Sequence, residues 1–505
     1  MTLPTTTSLG PAIRWEARGA ERRLGLPLLT VLLLALTALR VGALFLSPSE
    51  LGFDEAQYWA WSRHLAFGYF TKPPLTAWVI AAETAVCGDG AACVRAASPI
   101  AHMASALLLY GLGTRLYDRT TGFWSALFYA LMPGVAVSSV LMTTDVFLLF
   151  FWSAALLVLA ADLRAPRAAT ALGFGLLVGI GLYAKYAMIY LPVLAMLYGL
   201  ATPGARRVVF RPAFLGGLLV AVAIAVPNLW WNATHHFATF EHTGDNIGWS
   251  LSRLNWRKGF EFLGSQFGVA GPIVFGAMVN AFLFRARTEA TGADRLLLWF
   301  SVPIVLAITI QGFLSQANAN WAATAYPAGV VLATALMLRS PTRFFAVANL
   351  AIGLLVAAIL VVGTAVYDPA GASGPLVQLR QLSGWKTTAA NLEQVARQVG
   401  ARRLVLQGRA LTAGLLHPLR RSHLDIRAYL AAGDQPTDQF QLDRPWRDGD
   451  SSQDTLIFGI GRDAAERLNA VPIATIDAPI YSARDGRMTV YRLSEDASAP
   501  AAPGG

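Results

Sequence analysis

Long uninterrupted apolar runs decide what this chain can fold into. They lie near residues 26–46, 95–114, 122–138, 145–161, 168–183, 187–202, 212–230, 266–284, 295–313, 322–338 and 344–366. Each approaches the ~20 residues that a helix needs to cross about 30 Å of hydrocarbon. The expected fold is mainly α: a polytopic helical membrane domain of about eleven spans plus juxtamembrane helices. The run from Leu75 to Val86, roughly a dozen residues, is too short to cross and reads as an interfacial or re-entrant helix.

Of the 505 residues 55% are hydrophobic and 14% charged, with mean hydropathy +0.48, which excludes an ordinary soluble domain. A formal net charge of +10 raises nucleic acid as a partner. The arginines, however, sit in short gaps between apolar runs instead of on one basic face, so no nucleic-acid partner is expected. If every run crosses, Arg14, Arg18, Arg22 and Arg23 share a side with Arg115, Arg119, Arg164, Arg167, Arg206, Arg207 and Arg211. Arg285, Arg287, Arg295, Arg339 and Arg343 fall there too. The positive-inside rule makes that side the cytoplasm, so the N-terminus is cytoplasmic. Asp54, Lys185, the loop 231–265 and everything after residue 366 then face the exterior. The first run has no small-residue cleavage site at its end and reads as an uncleaved span. The two cysteines, Cys87 and Cys93, fall at the exterior end of the second crossing, where a short-loop disulfide and two unpaired thiols both stay open.

The domain organisation follows: 1–25 as a cytoplasmic N-terminus, 26–366 as the membrane domain, 367–493 as an exterior domain and 494–505 as a disordered tail rich in Ala, Pro, Ser and Gly. Runs at Leu404–Leu406, Thr455–Ile460, Ile473–Ile476 and Met488–Tyr491 read as short strands. Residues 385–399 read as an amphipathic helix, so 367–493 is a small C-terminal α/β domain. No internal repeat of the kind many transporters carry is evident.

Chemistry concentrates where apolar runs meet polar loops. Asp54 and Glu55 open the first exterior loop, ahead of Tyr58, Trp59 and Trp61; a carboxylate there can take a proton, and it can equally cap a helix N-terminus. Lys72 stands before Pro73 and Pro74, either snorkelling to lipid headgroups or meeting a lipid phosphate. Asp145 starts the run after Thr144, again as a helix cap or a cavity acid. Lys185, Tyr186 and Arg95 add cationic and hydrogen-bonding groups at the same level. Arg40 lies inside the first crossing, where an ionised group faces a cavity or a partner, or snorkels outward. Asn228, Trp231, Asn232, His235, His236, His242, Asp245 and Asn246 form a polar and aromatic stretch suited to headgroups, or a solvated loop, and the histidines lack metal-site spacing. Gln316, Asn318, Asn320 and Trp321 suit sugar hydroxyls, and suit an interfacial belt equally. Gly173, Gly175 and Gly179 lie inside a crossing with no preceding strand, so they read as close helix packing and not as a dinucleotide loop.

In order along the chain, Asp54-Glu55-Ala56-Gln57-Tyr58-Trp59, Lys72-Pro73-Pro74-Leu75, Thr144-Asp145 and Lys185-Tyr186 resemble the GT-C membrane glycosyltransferases. The likeness covers about residues 26–330 and is to the bacterial branch related to protein O-mannosyltransferases, the lipid A aminoarabinose transferase and lipopolysaccharide galacturonosyltransferases. It implies an inner-membrane enzyme that moves a sugar, with inversion, from a polyprenyl-phosphate donor to an envelope lipid on the exterior face. By resemblance Asp54 is the general base, and Glu55 and Asp145 shape the site. Lys72, Lys185, Arg95 and Tyr186 hold the donor phosphate, and Tyr58, His242, Asn320 and Trp321 meet sugar or acceptor. Aminoarabinose transferases carry an acid immediately before Lys-Pro-Pro, where this chain has Thr71. No metal ligand is therefore carried over; a divalent metal stays open and no cofactor is assigned. The rival reading is a transporter or flippase of lipid-linked sugars without chemistry, which predicts charges nearer the bilayer midplane.

Overall fold

The computed structural model describes residues 25–248, 254–285, 290–448, 450, 454–481, 483 and 485–493. The predicted tail 494–505 and N-terminus 1–24 lie outside the described residues. Two compact units emerge. The first holds residues up to 45, then 73–76 and 95–363; the second holds 46–72, 77–94 and 364 onward. The second unit therefore joins the first polar loop to the C-terminal segment, although the two are far apart in sequence.

In the first unit every predicted apolar run falls on helix. Seven described helices are long and apolar enough to cross a membrane alone, Leu26–Leu46, Ala91–Leu116, Thr144–Arg164, Pro212–Thr234, Gly292–Leu314, Ala319–Arg339 and Phe344–Val366. Burial grades them: Ala319–Arg339 is 83% enclosed, whereas Phe344–Val366 is 17% enclosed and presents its apolar surface outward, as a lipid-facing helix should. Two predicted runs are broken. Arg119–Leu131 stops before Pro133, which begins Pro133–Ser138 because proline has no N–H to continue the preceding turn. Trp256–Val269 and Pro272–Phe284 meet at 117° around Gly271, whose φ of +84° suits glycine.

The first break explains Arg40. Its side chain is 3% exposed and Nη2 donates to the Ala130 carbonyl at 2.7 Å, one of the terminal carbonyls left over where Pro133 interrupts the helix. Of the readings open for Arg40, the buried partner is the one realised. The glycines also pack as expected: a Cβ on Gly175 would sit 1.8 Å from the Gly217 carbonyl oxygen, and one on Gly217 would sit 2.2 Å from that of Ala171. The helices Ala168–Ala184 and Pro212–Thr234 approach this closely because neither residue has a side chain.

In the second unit six strands form one sheet: β1 Arg403–Leu406, β2 Asp425–Leu430, β3 Pro445–Arg447, β4 Thr455–Phe458, β5 Ala470–Asp477 and β6 Arg487–Leu493. The order is β3-β2-β1-β4-β6-β5, parallel from β3 to β4, with β6 antiparallel to both β4 and β5. Helix Trp385–Gln398 buries Trp385, Leu392 and Val395, as its amphipathic pattern predicts. Strand order reverses between β1 and β4, so the loops after these two strands flank the crevice in which open α/β sheets usually bind ligands.

Residues 46–94 of this unit are pinned through one loop. Cys87 and Cys93 are joined in a disulfide, with Cα atoms 5.6 Å apart. Asp89 inside that loop accepts from Trp59 Nε1 at 2.8 Å and pairs with Arg63 at 3.2 Å. The Asp89 carbonyl accepts from His417 Nε2 at 2.6 Å, and the His417 ring meets Trp59 edge-on at 4.8 Å. Burial lowers the His417 pKa from 6.5 to about 4. Because the folded value lies below the unfolded one, the neutral ring's contribution is complete above pH 6.5 and is lost as pH falls toward 4. Burial pushes the Glu50 and Asp438 carboxyls up, which acts in the opposite sense, so the informative quantity is a difference. Thermal unfolding of wild type in detergent is expected to lose more stability between pH 6.5 and 4 than that of His417→Gln, by on the order of 3 kcal/mol. Parallel pH profiles would contradict this.

Candidate active site

In the second unit the site is built on the short helix Phe53–Trp61. Glu55 is 4% exposed and its Oε2 accepts from the Gly52 N–H at 3.0 Å, so this acid fixes the helix start. Asp54, one residue earlier, points the other way: its side chain is 53% exposed and Oδ1 accepts from Arg409 Nη1 at 3.1 Å. The same Nη1 lies 3.4 Å from Gln57 Oε1, and the guanidinium sits 5.4 Å from the centre of the Phe53 ring. Gln57 is 1% exposed and passes the connection on, its Nε2 donating to Thr71 Oγ1 at 3.2 Å. Thr71 directly precedes Lys72, which is half-buried in a turn closed by Tyr69 N–H donating to the Lys72 carbonyl at 3.2 Å. The Asp54 helix and the Lys72 turn are thus tied by a side-chain hydrogen bond. Tyr58 is 5% exposed, its ring packed 5.5 Å from that of Trp61, so its surface is largely given to the aromatic cluster in which Trp61 stacks on Tyr69.

In the first unit Asp145 starts the helix Thr144–Arg164 and is 7% exposed. Both oxygens are engaged, Oδ1 with Lys185 Nζ at 2.7 Å and Oδ2 with Asn320 Nδ2 at 2.7 Å. Lys185 occupies the extended residue between the helix Ala168–Ala184 and the turn Tyr186–Ile189, which places its ammonium at a helix end. A carboxylate with two such donors orients its partners and is poorly placed to take a further proton. Asn320 lies in Ala319–Ala325, anchored through the Ala319 carbonyl, which accepts from Gln266 Nε2 at 3.1 Å; Trp321 beside it is half-buried. Tyr186 donates to Asn228 Oδ1 at 2.7 Å, accepts from Asn232 Nδ2 at 3.1 Å and stacks on Phe240 at 5.0 Å. Arg95 ends the helix Ala91–Arg95 and is 2% exposed. His242 falls on the helix Ala238–Ile247, but its side chain lies outside the described residues.

The structure therefore brings Asp145, Lys185 and Asn320 together, and ties Asp54 to the Lys72 turn through Gln57. Arg409 is the functional candidate that sequence reasoning missed: nothing local marks one arginine among many, and its partner lies 355 residues away. Among the described residues no three His, Cys, Asp or Glu side chains gather to hold a metal ion. The cation beside Asp54 is a guanidinium, and Thr71 offers a neutral hydroxyl already bonded to Gln57. This donor set does not fit a divalent ion, which favours several carboxylate or carbonyl oxygens, and no step is assigned to one.

Comparison with known proteins adds the family. Residues 71–231, which include Lys72, Asp145 and Lys185, match the family model described as dolichyl-phosphate-mannose-protein mannosyltransferase. The lipid A galacturonosyltransferase RgtD of Rhizobium johnstonii is 37% identical over 407 residues, covering 80% of this chain and 85% of that protein. The lipopolysaccharide core galacturonosyltransferase RgtA of the same organism is 30% identical over 204 residues, 40% of this chain and 41% of that one. Among solved structures, ArnT from Cupriavidus metallidurans bound to undecaprenyl phosphate superposes with a TM-score of 0.64 at 16% identity, covering 93% of this chain and 99% of that one. Its apo form gives 0.63 at 18% identity. The shared GT-C-like fold, with its multiple apolar helices, makes this a multi-pass inner-membrane protein. With a relative this similar over four-fifths of its length, the chain belongs to the GT-C membrane glycosyltransferases, in the lineage of the lipid A galacturonosyltransferase RgtD.

Proposed function

We propose that this glycosyltransferase moves a galacturonic acid residue from a polyprenyl-phosphate carrier to lipid A, on the exterior face of the inner membrane and with inversion. The observation that carries the reading is the 37% identity, across most of both chains, to a lipid A galacturonosyltransferase. A carrier of the undecaprenyl-phosphate type is supported by the fold shared with an ArnT structure that binds that lipid. Membership of a glycosyltransferase family favours chemistry over the transporter alternative.

In the proposed reaction the acceptor hydroxyl attacks the anomeric carbon while the bond from that carbon to the phosphate oxygen breaks. Asp54 takes the hydroxyl proton, and the polyprenyl phosphate leaves with the bonding electron pair. A leaving phosphate gains negative charge, so cations held in place lower the barrier. Lys185, fixed by Asp145, is assigned that task, with Lys72, Arg95 and Tyr186 as further phosphate contacts. Glu55 contributes by setting the start of the Asp54 helix, and Asn320 and Trp321 face sugar or acceptor hydroxyls. The positive-inside pattern supports a cytoplasmic N-terminus and an exterior C-terminal α/β segment.

The test is mass spectrometry of envelope lipids from cells with and without the protein. The reading requires a lipid A species larger by one hexuronic acid that disappears on deletion and returns with the wild-type gene. A core oligosaccharide that changes while lipid A stays constant would move the acceptor to the core. An unchanged envelope lipid profile would overturn the reading.

A further inference from the structure

Arg409 opens the eight-residue helix Arg409–Leu416, directly after β1 and Gly408. It therefore stands where the strand order of the sheet reverses, the position from which α/β folds usually present ligand-binding groups. Here the guanidinium engages Phe53, Asp54 and Gln57, three side chains of one helical stretch. We propose that Arg409 is a positioning residue for catalysis, locking the Asp54 carboxylate through Oδ1 so that Oδ2 is presented to the acceptor hydroxyl. This inference rests on the reading of Asp54 as the base.

Three observations support it. Asp54 lies in the first turn of its helix with half its side chain exposed, and among the described residues no hydrogen bond engages Oδ2. An exposed carboxylate on a short helix samples several rotamers, so a base there needs an external restraint to hold a productive geometry. Gln57 is fully enclosed and uses both ends of its amide, Oε1 toward Arg409 and Nε2 toward Thr71, so the restraint reaches the residue before Lys72. A second C-terminal residue reaches the same turn: Gln439 Oε1 accepts from the Phe70 N–H at 2.8 Å, with Gln439 Nε2 donating to Asp443 Oδ1 at 2.9 Å. The C-terminal segment thus grips the Asp54 helix and the Lys72 turn at separate points. An ion pair exposed to this degree adds little to folding stability, which leaves orientation as its main effect.

The experiment uses the full-length protein purified in detergent, a lipid-linked sugar donor and lipid A, with steady-state rates for Arg409→Met, Arg409→Lys and Asp54→Asn, and for the Asp54→Asn/Arg409→Met double variant. Arg409→Met is expected to lower kcat about 10- to 100-fold with the KM for donor changed less than about twofold. Arg409→Lys should recover part of the loss, since it restores the charge without the planar fork. The double variant should be no slower than Asp54→Asn, because the two residues act as a unit. Wild-type kcat in Arg409→Met, with Asp54→Asn inactive, overturns the inference and leaves the base in place. So does a double variant markedly slower than Asp54→Asn. Wild-type kcat in Asp54→Asn removes the base itself and the inference with it. A melting temperature for Arg409→Met within a few degrees of wild type confirms that a rate loss is not unfolding.

Discussion

Replacing Asp54 by Asn is expected to cut sugar transfer by about 100- to 10,000-fold, the range over which a positioned general base contributes. The substitution is a clean one for physical reasons. Asn keeps the shape of the side chain and still offers Oδ1 to Arg409 Nη1, so the contact at 3.1 Å can persist. Glu55 continues to accept from the Gly52 N–H, so the helix start is untouched. What disappears is the lone pair that takes a proton at neutral pH. Donor binding should be close to wild type, because no phosphate contact is assigned to Asp54. Initial rates with a labelled lipid-linked donor, alongside a thermal melt, separate loss of chemistry from loss of fold. A rate within a few-fold of wild type would remove Asp54 from the mechanism.

Replacing Lys185 by Met is expected to damage both stability and rate, and a second substitution separates the two. Asp145 is 7% exposed, and without the ammonium 2.7 Å away it would be a buried carboxylate compensated by Asn320 alone. Breaking one side of such a pair costs about 3–5 kcal/mol. The Lys185→Met/Asp145→Asn double variant removes both charges and should recover most of that stability. Its rate should nevertheless stay about 100-fold or more below wild type, because the charge assigned to the leaving phosphate is still missing. A double variant that recovers stability and rate together would reduce Lys185 to a structural ion partner. Thermal melts and transfer rates on the same preparations give both readings.

How much of this was legible in the sequence depends on whether the signal was local. Hydrophobic length located the helices, since apolar runs in lipid have few other solutions. The same window averages across a break, which is why 122–138 and 266–284 read as single runs. Pro133 and the Gly271-Pro272 pair, each visible as a residue, carried the information about where the helices stop. Strands β1, β4, β5 and β6 were found because their apolar residues are contiguous or regularly placed. Strand β2, with Asp425 and Arg427 among its first three residues, and the three-residue β3, which begins at Pro445, lack that signature.

The site divided along the same line. Acids and cations at apolar boundaries stand out in sequence, and the pairing of Asp145 with Lys185 joins two such boundary residues. The division of labour between Asp54 and Glu55 was not readable, because both occupy the first turn of one helix and only their opposite facing separates them. Likewise Cys87 and Cys93 were equally compatible with bonded and free states until their Cα separation of 5.6 Å and their bond were in view. Arg409 and Gln439 belong to a different class. Their partners lie more than 350 residues away, and no periodicity or spacing in one sequence encodes a contact of that range.

The most direct test of the central claim is reconstitution of the purified protein in liposomes with a polyprenyl-phosphate-linked sugar and lipid A, following both lipids by mass spectrometry. The account predicts that donor is consumed only when acceptor is present, and that free polyprenyl phosphate and glycosylated lipid A appear in equal amounts. Donor that crosses the bilayer intact, with no glycosylated lipid formed, would contradict it.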